Sequence, residues 1–228
     1  MAKVPWSKII EPCIYCGQQD ALTRDHVPPK CLFPKSSRQN LIRVPACEPC
    51  NNSAKLDDEY FRAVVSMGSE DPVAIAVWKQ GVTKRASPSF KSRLLRSLRP
   101  AELLRTPAGI YLRDGHSLKL EKQRIEDVVI RIVRGLLWFH YKVRTEDETI
   151  FDLRLNPEPD HIHEIIKGLP VSSVGEGIFQ YRRGIASDDP QSSVWWLRFY
   201  QSIQLLVFTT GRKGRELEKK LGNDLSPS

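Results

Sequence analysis

Two cysteine pairs constrain this chain more than any other feature. Cys13-x-x-Cys16 and Cys47-x-x-Cys50 are separated by the thirty residues between Cys16 and Cys47. Each pair brings two thiolates close enough to chelate one ion, and four soft ligands together suit tetrahedral zinc. Disulfides are the competing use of these thiols, and they explain less. Five cysteines are an odd number, and the leading MAKVPWSKIIEPC contains no apolar core of about 7 to 15 residues that would direct the chain to an oxidising compartment. A cytoplasmic location is therefore expected. A site closed by four thiolates keeps no open position for a substrate, so the zinc is expected to be structural. The local composition agrees, because cysteines aside only eleven of the 42 residues from Glu11 to Asn52 are apolar. That is too few for a self-sufficient core, and zinc binding worth about 10 to 16 kcal/mol would fill the deficit. Cys31 lies outside the pairs and reads as a small, semi-buried side chain.

A gap of thirty residues exceeds the roughly 12 to 20 of simple fingers and ribbons, so the insertion must have structure of its own. Its sequence, ALTRDHVPPKCLFPKSSRQNLIRVPA, predicts a short strand over Ala21–His26, a proline-interrupted loop, and a second strand near Asn40–Val44. Pro28, Pro29 and Pro34 exclude a helix between them. After Cys50, Leu56, Tyr60, Ala63, Val64 and Met67 recur at helical spacing until Gly68 stops the run. Zinc would thus clamp the segment ahead of the first strand to the turn that opens a helix, placing Asn51 beside a metal-held cysteine.

The strings CIYCG, TRDHVPP and NLIRVPACEPCNN, in that order, resemble the zinc-containing branch of the HNH endonucleases, with their ββα-metal, treble-clef-like fold. The resemblance covers residues 11–66, about a quarter of the chain. It implies that His26 is the general base that deprotonates an attacking water, a task suited to an imidazole whose reference pKa is about 6.5. It implies that Asp25 and Asn51 bind a catalytic divalent cation, Mg²⁺ or Mn²⁺, through hard oxygens. Asn40, the middle residue of the motif, would brace the loop that presents His26 without touching the metal. Adjacent side chains on a strand face apart, so Asp25 and His26 can reach one phosphate only if the backbone bends at the strand end. Val27-Pro28-Pro29 makes that bend plausible. Asn52 offers the same amide oxygen as Asn51. Many relatives place a lysine three residues after the ligand, whereas Lys55 follows Asn51 by four and Asn52 by three. Asp58 falls on the helix face of Asn51 and offers an outer carboxylate, although Asp57-Asp58-Glu59 reads first as a solvated acidic run.

From about residue 71 no catalytic motif is legible. The chain's formal charge of +8 is matched by residues 79–113 alone, where nine lysines and arginines face Glu102. Phe90, Leu94, Leu95 and Leu98 form an apolar stripe on a short helix ended by Pro100, with Arg93, Arg96 and Arg99 beside it as candidate phosphate contacts. Ile110–Arg113 and Ser117–Leu120 flank Asp114-Gly115 as a predicted hairpin, with His116 at its turn. A long helix follows over Gln123–Val143. Its apolar stripe Ile125, Val129, Ile132 and Leu136 takes in His140 as a core or boundary side chain, and Arg131, Arg134 and His140 exclude a membrane span. His161 and His163, in HIHEIIKG, face apart on a helix and do not form a metal pair. Strands are expected near 149–155 and 177–183, and VWWLRFYQSIQLLVFTT reads as two strands or one bulged strand. Its Trp195, Trp196, Phe199 and Tyr200 read as core before they read as a base-stacking platform.

The expectation is an α+β protein. Residues 1–70 would form a zinc-stapled HNH module, and residues 71–228 an α+β domain of mixed helix and antiparallel sheet without an assigned role. The reaction implied is metal-dependent hydrolysis of phosphodiester bonds in nucleic acid, with DNA the expected substrate and 5′-phosphate and 3′-hydroxyl products. The alternatives are a non-catalytic zinc module that only binds nucleic acid, and a partner-binding scaffold.

Overall fold

The computed structural model describes residues 11–19, 23–81, 86–100, 104–105, 111–112, 116–118, 120–155 and 164–216. For residues 93, 95–100, 104–105, 111–112, 116–118, 164 and 165 the description is of the backbone. Around the cysteines the chain runs strand, loop, strand, helix, in the order its prolines and apolar spacing impose. β1 (Thr23–Val27) pairs antiparallel with β2 (Ile42–Ala46), in a register that sets Asp25 opposite Val44 and His26 opposite Arg43. Pro29 and Pro34 each open a 3-10 turn in the loop between the strands. The helical run after Cys47 is broken into α1 (Glu48–Ser53) and α2 (Lys55–Met67), which meet at Ala54 and end at Gly68. That break puts Leu56 on the outside, 70% exposed, and corrects its place in the apolar stripe. Tyr60, Phe61, Ala63 and Val65 form the buried face instead.

Beyond residue 70 come α3 (Pro72–Trp78), whose N-terminal amides are capped by Asp71, and α4 (Pro88–Ser97). Leu94 of α4 is buried against Ala63. The side chains of Arg93, Arg96 and Arg99 lie outside the described residues, as do His161 and His163. Four short strands follow: β3 (Leu98–Pro100), β4 (Leu104–Arg105), β5 (Tyr111–Leu112) and β6 (His116–Leu118). Here the structure corrects the expected hairpin. Among the described residues, the two arms beside Asp114-Gly115 pair not with each other but with earlier strands, β6 with β3 and β5 with β4, and Asp114 and Gly115 themselves lie outside the described residues. An Asp-Gly pair favours a tight turn, but strand partners are decided by longer-range pairing.

α5 (Lys122–Tyr141) is the central helix. Ile125, Val128, Val129, Ile132, Val133, Leu136 and Leu137 are buried along it at the i, i+3, i+4 spacing of an apolar stripe. Gly135 marks its closest approach to β1, since a Cβ there would collide with the side chain of Val27. The rest is a five-stranded antiparallel sheet. It comprises β7 (Ile150–Leu155), β8 (Ser172–Val174), β9 (Phe179–Ile185), β10 (Ser193–Phe199) and β11 (Ile203–Thr210), in the order β7-β11-β10-β9-β8. A short helix α6 (Glu164–Gly168) precedes β8. The aromatic-rich run is thus two strands, and alternation divides its residues between two faces. Trp195, Leu197, Phe199, Leu205 and Val207 enter the main core, while Trp196 and Leu206 join Ile166 on the other side.

The fold is α+β with an N-terminal cysteine cluster, and its apolar packing continues across residue 70. One cluster contains Ile14, Val27, Leu32 and Phe33 from the cysteine-rich segment together with Ile132, Leu136, Phe199 and Tyr200. Polar bonds reinforce that junction. The Tyr200 hydroxyl donates to the Leu32 carbonyl at 2.8 Å, and Ser37 donates to the Glu176 carboxylate at 2.8 Å. Among the described residues no helix is long and apolar enough to cross a membrane.

Candidate active site and metal centre

The four cysteines of the two pairs converge. Their Sγ atoms all lie within 4.8 Å of one another, and Cys16 and Cys47 stand 3.6 Å apart. Zn–S bonds of about 2.3 Å in a tetrahedron need sulfurs about 3.8 Å apart, so the cluster could hold one zinc ion. Local backbone bonds shape both knuckles. Gly17, at a φ of +78°, donates to the Cys13 carbonyl, and the Asn51 N–H donates to the Cys47 carbonyl as α1 opens. Burial disfavours the Cys13 thiolate, but N–H groups around Cys16, Cys47 and Tyr15 outweigh it and bring the thiol down to about 7, which assists metal capture. Cys31 stands apart. Its Sγ donates to the Asp58 carbonyl at 3.4 Å, and burial pushes the thiol up to about 12, so it remains a neutral side chain.

Next to the cluster lies an open cleft of about 260 Å³. Asp25, His26, Asn51 and Asp58 all line it, with Lys30 and Lys55 as its cations. The imidazole of His26 is half-buried and makes no hydrogen bond among the described residues. Burial, then the charges of Arg43 and Lys30, lower its pKa below 6.5, and only Asp25 opposes them. His26 is therefore neutral at pH 7 and able to accept a proton.

Asp25 reaches the same cleft through local geometry. Its Oδ1 accepts from the N–H of His26 at 2.8 Å, which turns the carboxylate along the strand. Its Oδ2 accepts from the Tyr15 hydroxyl at 2.8 Å and from Arg131 of α5 at 2.5 Å. Arg131 also donates to the Cys50 carbonyl at 3.1 Å and lies over the Tyr15 ring, 4.1 Å from its centroid. Burial, then the negative charge of Asp25, holds the Tyr15 phenol well above its usual range, so it stays a donor. One arginine from the long helix thus ties the first strand to the second cysteine pair.

Asn51 is anchored through its NH₂ group, which donates to Thr23 Oγ1 at 3.1 Å and to the Arg24 carbonyl at 3.4 Å. Its amide oxygen accepts no bond among the described residues. Asn52 is exposed, donates to Glu48 at 3.4 Å and does not line the cleft. Asn40 departs from expectation. It sits exposed in the turn before β2, forms no hydrogen bond among the described residues, and does not brace His26.

Asp58 corrects the sequence reading in the other direction. It is not a freely solvated member of an acidic run, because Oδ1 is closed off from water with no hydrogen-bond partner. Burial, then the charge of Asp25, raises its pKa to about 7 against the opposing pull of Arg131. With the Asn51 amide oxygen and the Asp25 carboxylate it gives the cleft a set of hard oxygen donors. Oxygen donors of this kind are the ligand type that Mg²⁺ or Mn²⁺ would require, and here both Asp25 oxygens already accept hydrogen bonds while one Asp58 oxygen has no partner. Its seven-residue spacing from Asn51 is the signal that sequence offers. Arg131 and Tyr15 offer none, since a helix arginine and a knuckle tyrosine become a pair only through tertiary packing.

Compared with known proteins, the chain matches no family model, no curated protein and no solved structure.

Proposed function

We propose that the protein is a metal-dependent endonuclease of the HNH type, acting on nucleic acid, with DNA as the preferred substrate. The observation that carries this reading is the single cleft shared by His26, Asp25 and Asn51 beside a cluster of four thiols. His26, neutral and without a hydrogen-bond partner among the described residues, takes a proton from water as the water oxygen attacks phosphorus. The phosphorus–O3′ bond breaks and the departing O3′ takes a proton from solvent water, leaving a 5′-phosphate and a 3′-hydroxyl. Asp25 and Asn51 would hold the divalent cation, with Asp58 within the same cleft. Once bound, that cation supplies charge neutralisation at the phosphate. Lys30 and Lys55 attract the phosphate, Arg131 holds the Asp25 carboxylate in place, and the cysteine cluster holds β1 against α1.

The non-catalytic alternative has one observation in its favour, namely that Asp25 already forms an ion pair with Arg131. The decisive test is incubation of supercoiled plasmid with the zinc-loaded protein and Mg²⁺ or Mn²⁺. Cleavage is expected, and His26→Ala is expected to lower it about 100-fold or more with zinc content unchanged. Cleavage that survives His26→Ala removes the general-base assignment, and binding without cleavage favours the alternative.

A further inference from the structure

A second pocket of about 360 Å³ opens beside the cleft and shares Lys30 and Cys31 with it as a common wall. Its other charged side chains are Lys35, Arg38 and Arg62, and among the described residues no carboxylate lines it. Four cations converging without an acid repel one another unless an anion joins them. Arg62 is the informative member. It is only 9% exposed, its Nε has no hydrogen-bond partner, and its guanidinium forms no ion pair among the described residues. A buried guanidinium left this way is unfavourable, since such charges are ordinarily paired. The backbone makes room for it: a Cβ at Gly81 would come within 2.7 Å of the Arg62 guanidinium carbon. Arg38 donates its Nε–H to the Phe33 carbonyl at 2.9 Å, which fixes the plane of its guanidinium at the pocket.

We propose that this pocket binds a backbone phosphate of the nucleic acid strand adjacent to the phosphate that is cut. Guanidinium groups present several N–H donors in a fixed plane that matches phosphate oxygens, and lysines add point charge. Because Lys30 borders both spaces, a strand lying in the cleft passes its next phosphates to Arg38 and Arg62. The inference rests on the nucleic-acid reading of the cleft, but it concerns binding and not hydrolysis.

The test measures binding of a fluorescent 20-base-pair DNA duplex to the zinc-loaded full chain without other divalent cations, from 50 to 200 mM salt. Lys35→Ala with Arg38→Ala is expected to weaken binding about tenfold for each phosphate-bound cation removed at 0.1 M salt, and to flatten the log-log salt slope by about one unit for each. Arg62→Met should do the same, and the surface double variant keeps the test valid if Arg62→Met fails to fold. Unchanged affinity and slope in the double variant, or a wild-type chain that binds no duplex, would overturn the proposal. A mononucleotide that displaces the duplex at equal ionic strength with similar affinity would also overturn it, assigning the pocket to a free phosphate compound. A duplex that binds through these residues but is never cut leaves the pocket standing and removes only the hydrolytic reading.

Discussion

The cysteine-rich segment and the five-stranded sheet solve the problem of staying folded in opposite ways. The sheet is secured by its own apolar bulk, with Trp195, Phe179, Phe199 and Leu197 fully withdrawn from water and ring pairs such as Phe179–Phe199 at 4.9 Å. The cysteine-rich segment has few apolar residues and a floor of charged and amide groups. It is secured by the thiol cluster, by Arg131, and by the anchors Leu32, Phe33 and Ser37 on the far half of the chain. A cleft lined by an imidazole, two carboxylates and an amide gains little from apolar burial of its own. The difference shows that a polar cleft is sustainable because its support comes from elsewhere in the fold.

The comparison breaks most visibly on zinc removal. A strong chelator should release one zinc per chain and loosen the β1–β2 and α1 region, because binding on the order of 10 kcal/mol is removed from a segment whose own apolar residues are few. Hydrogen exchange is the measurement. Amides of β1 and β2 should lose protection while those of β10 and β11 retain most of theirs. Equal loss in both regions would show that the cluster supports the whole core, and equal retention would show that it supports nothing.

Arg131→Met asks whether the support of the cleft is electrostatic. The side chain stem remains, but Asp25 keeps only Tyr15 and the His26 amide as partners. Removing one member of a largely buried pair should cost about 3 kcal/mol, measured by urea unfolding at fixed zinc occupancy. Plasmid cleavage should fall about 10- to 100-fold, as expected when the partner that orients a ligand is removed. A variant as active as the wild type would mean that Asp25 needs no orientation from α5. A variant as stable would mean that the ion pair is offset by its own desolvation.

Much of this arrangement is legible in the sequence. Cysteine spacing points to the cluster, prolines and apolar alternation to both strands, and Asp25, His26 and Asn51 fall in one motif. What is not legible depends on long-range geometry. The acidic character of Asp57-Asp58-Glu59 points outward, yet α2 restarts at Lys55 and turns Asp58 toward the cleft. Arg131 reads in sequence only as an interruption of an apolar helix. The Asp114-Gly115 signal suggests a hairpin between its own flanks, whereas the described parts of those flanks pair with earlier strands. Local rules describe what a segment prefers, and packing chooses among those preferences.

The finest separation of the two regions comes from pH, because each holds a titratable group displaced from its ordinary value, one a carboxyl and one an imidazole. In the cleft, Asp58 releases its proton at about 7 when folded but near 3.8 when unfolded. The folded state therefore binds the extra proton between those values, and the stability this group supplies is full below 3.8 and lost as pH rises through 7. At the sheet, His140 bonds the Tyr181 hydroxyl at 2.8 Å, and burial, then the charge of Arg183, lowers its pKa to about 4 from 6.5. The unfolded state binds the extra proton there, so that contribution is present above 6.5 and lost as pH falls through 4. Melting temperatures of zinc-loaded protein at pH 5 and pH 8 should resolve the two. Relative to wild type, Asp58→Asn should gain about 2 to 4 °C more at pH 8 than at pH 5. His140→Gln should show the reverse trend, with its deficit shrinking toward pH 5. Parallel pH profiles for both variants and the wild type would mean that neither group is held away from its ordinary protonation, and the contrast between an electrostatically strained cleft and a neutral core would fall with it.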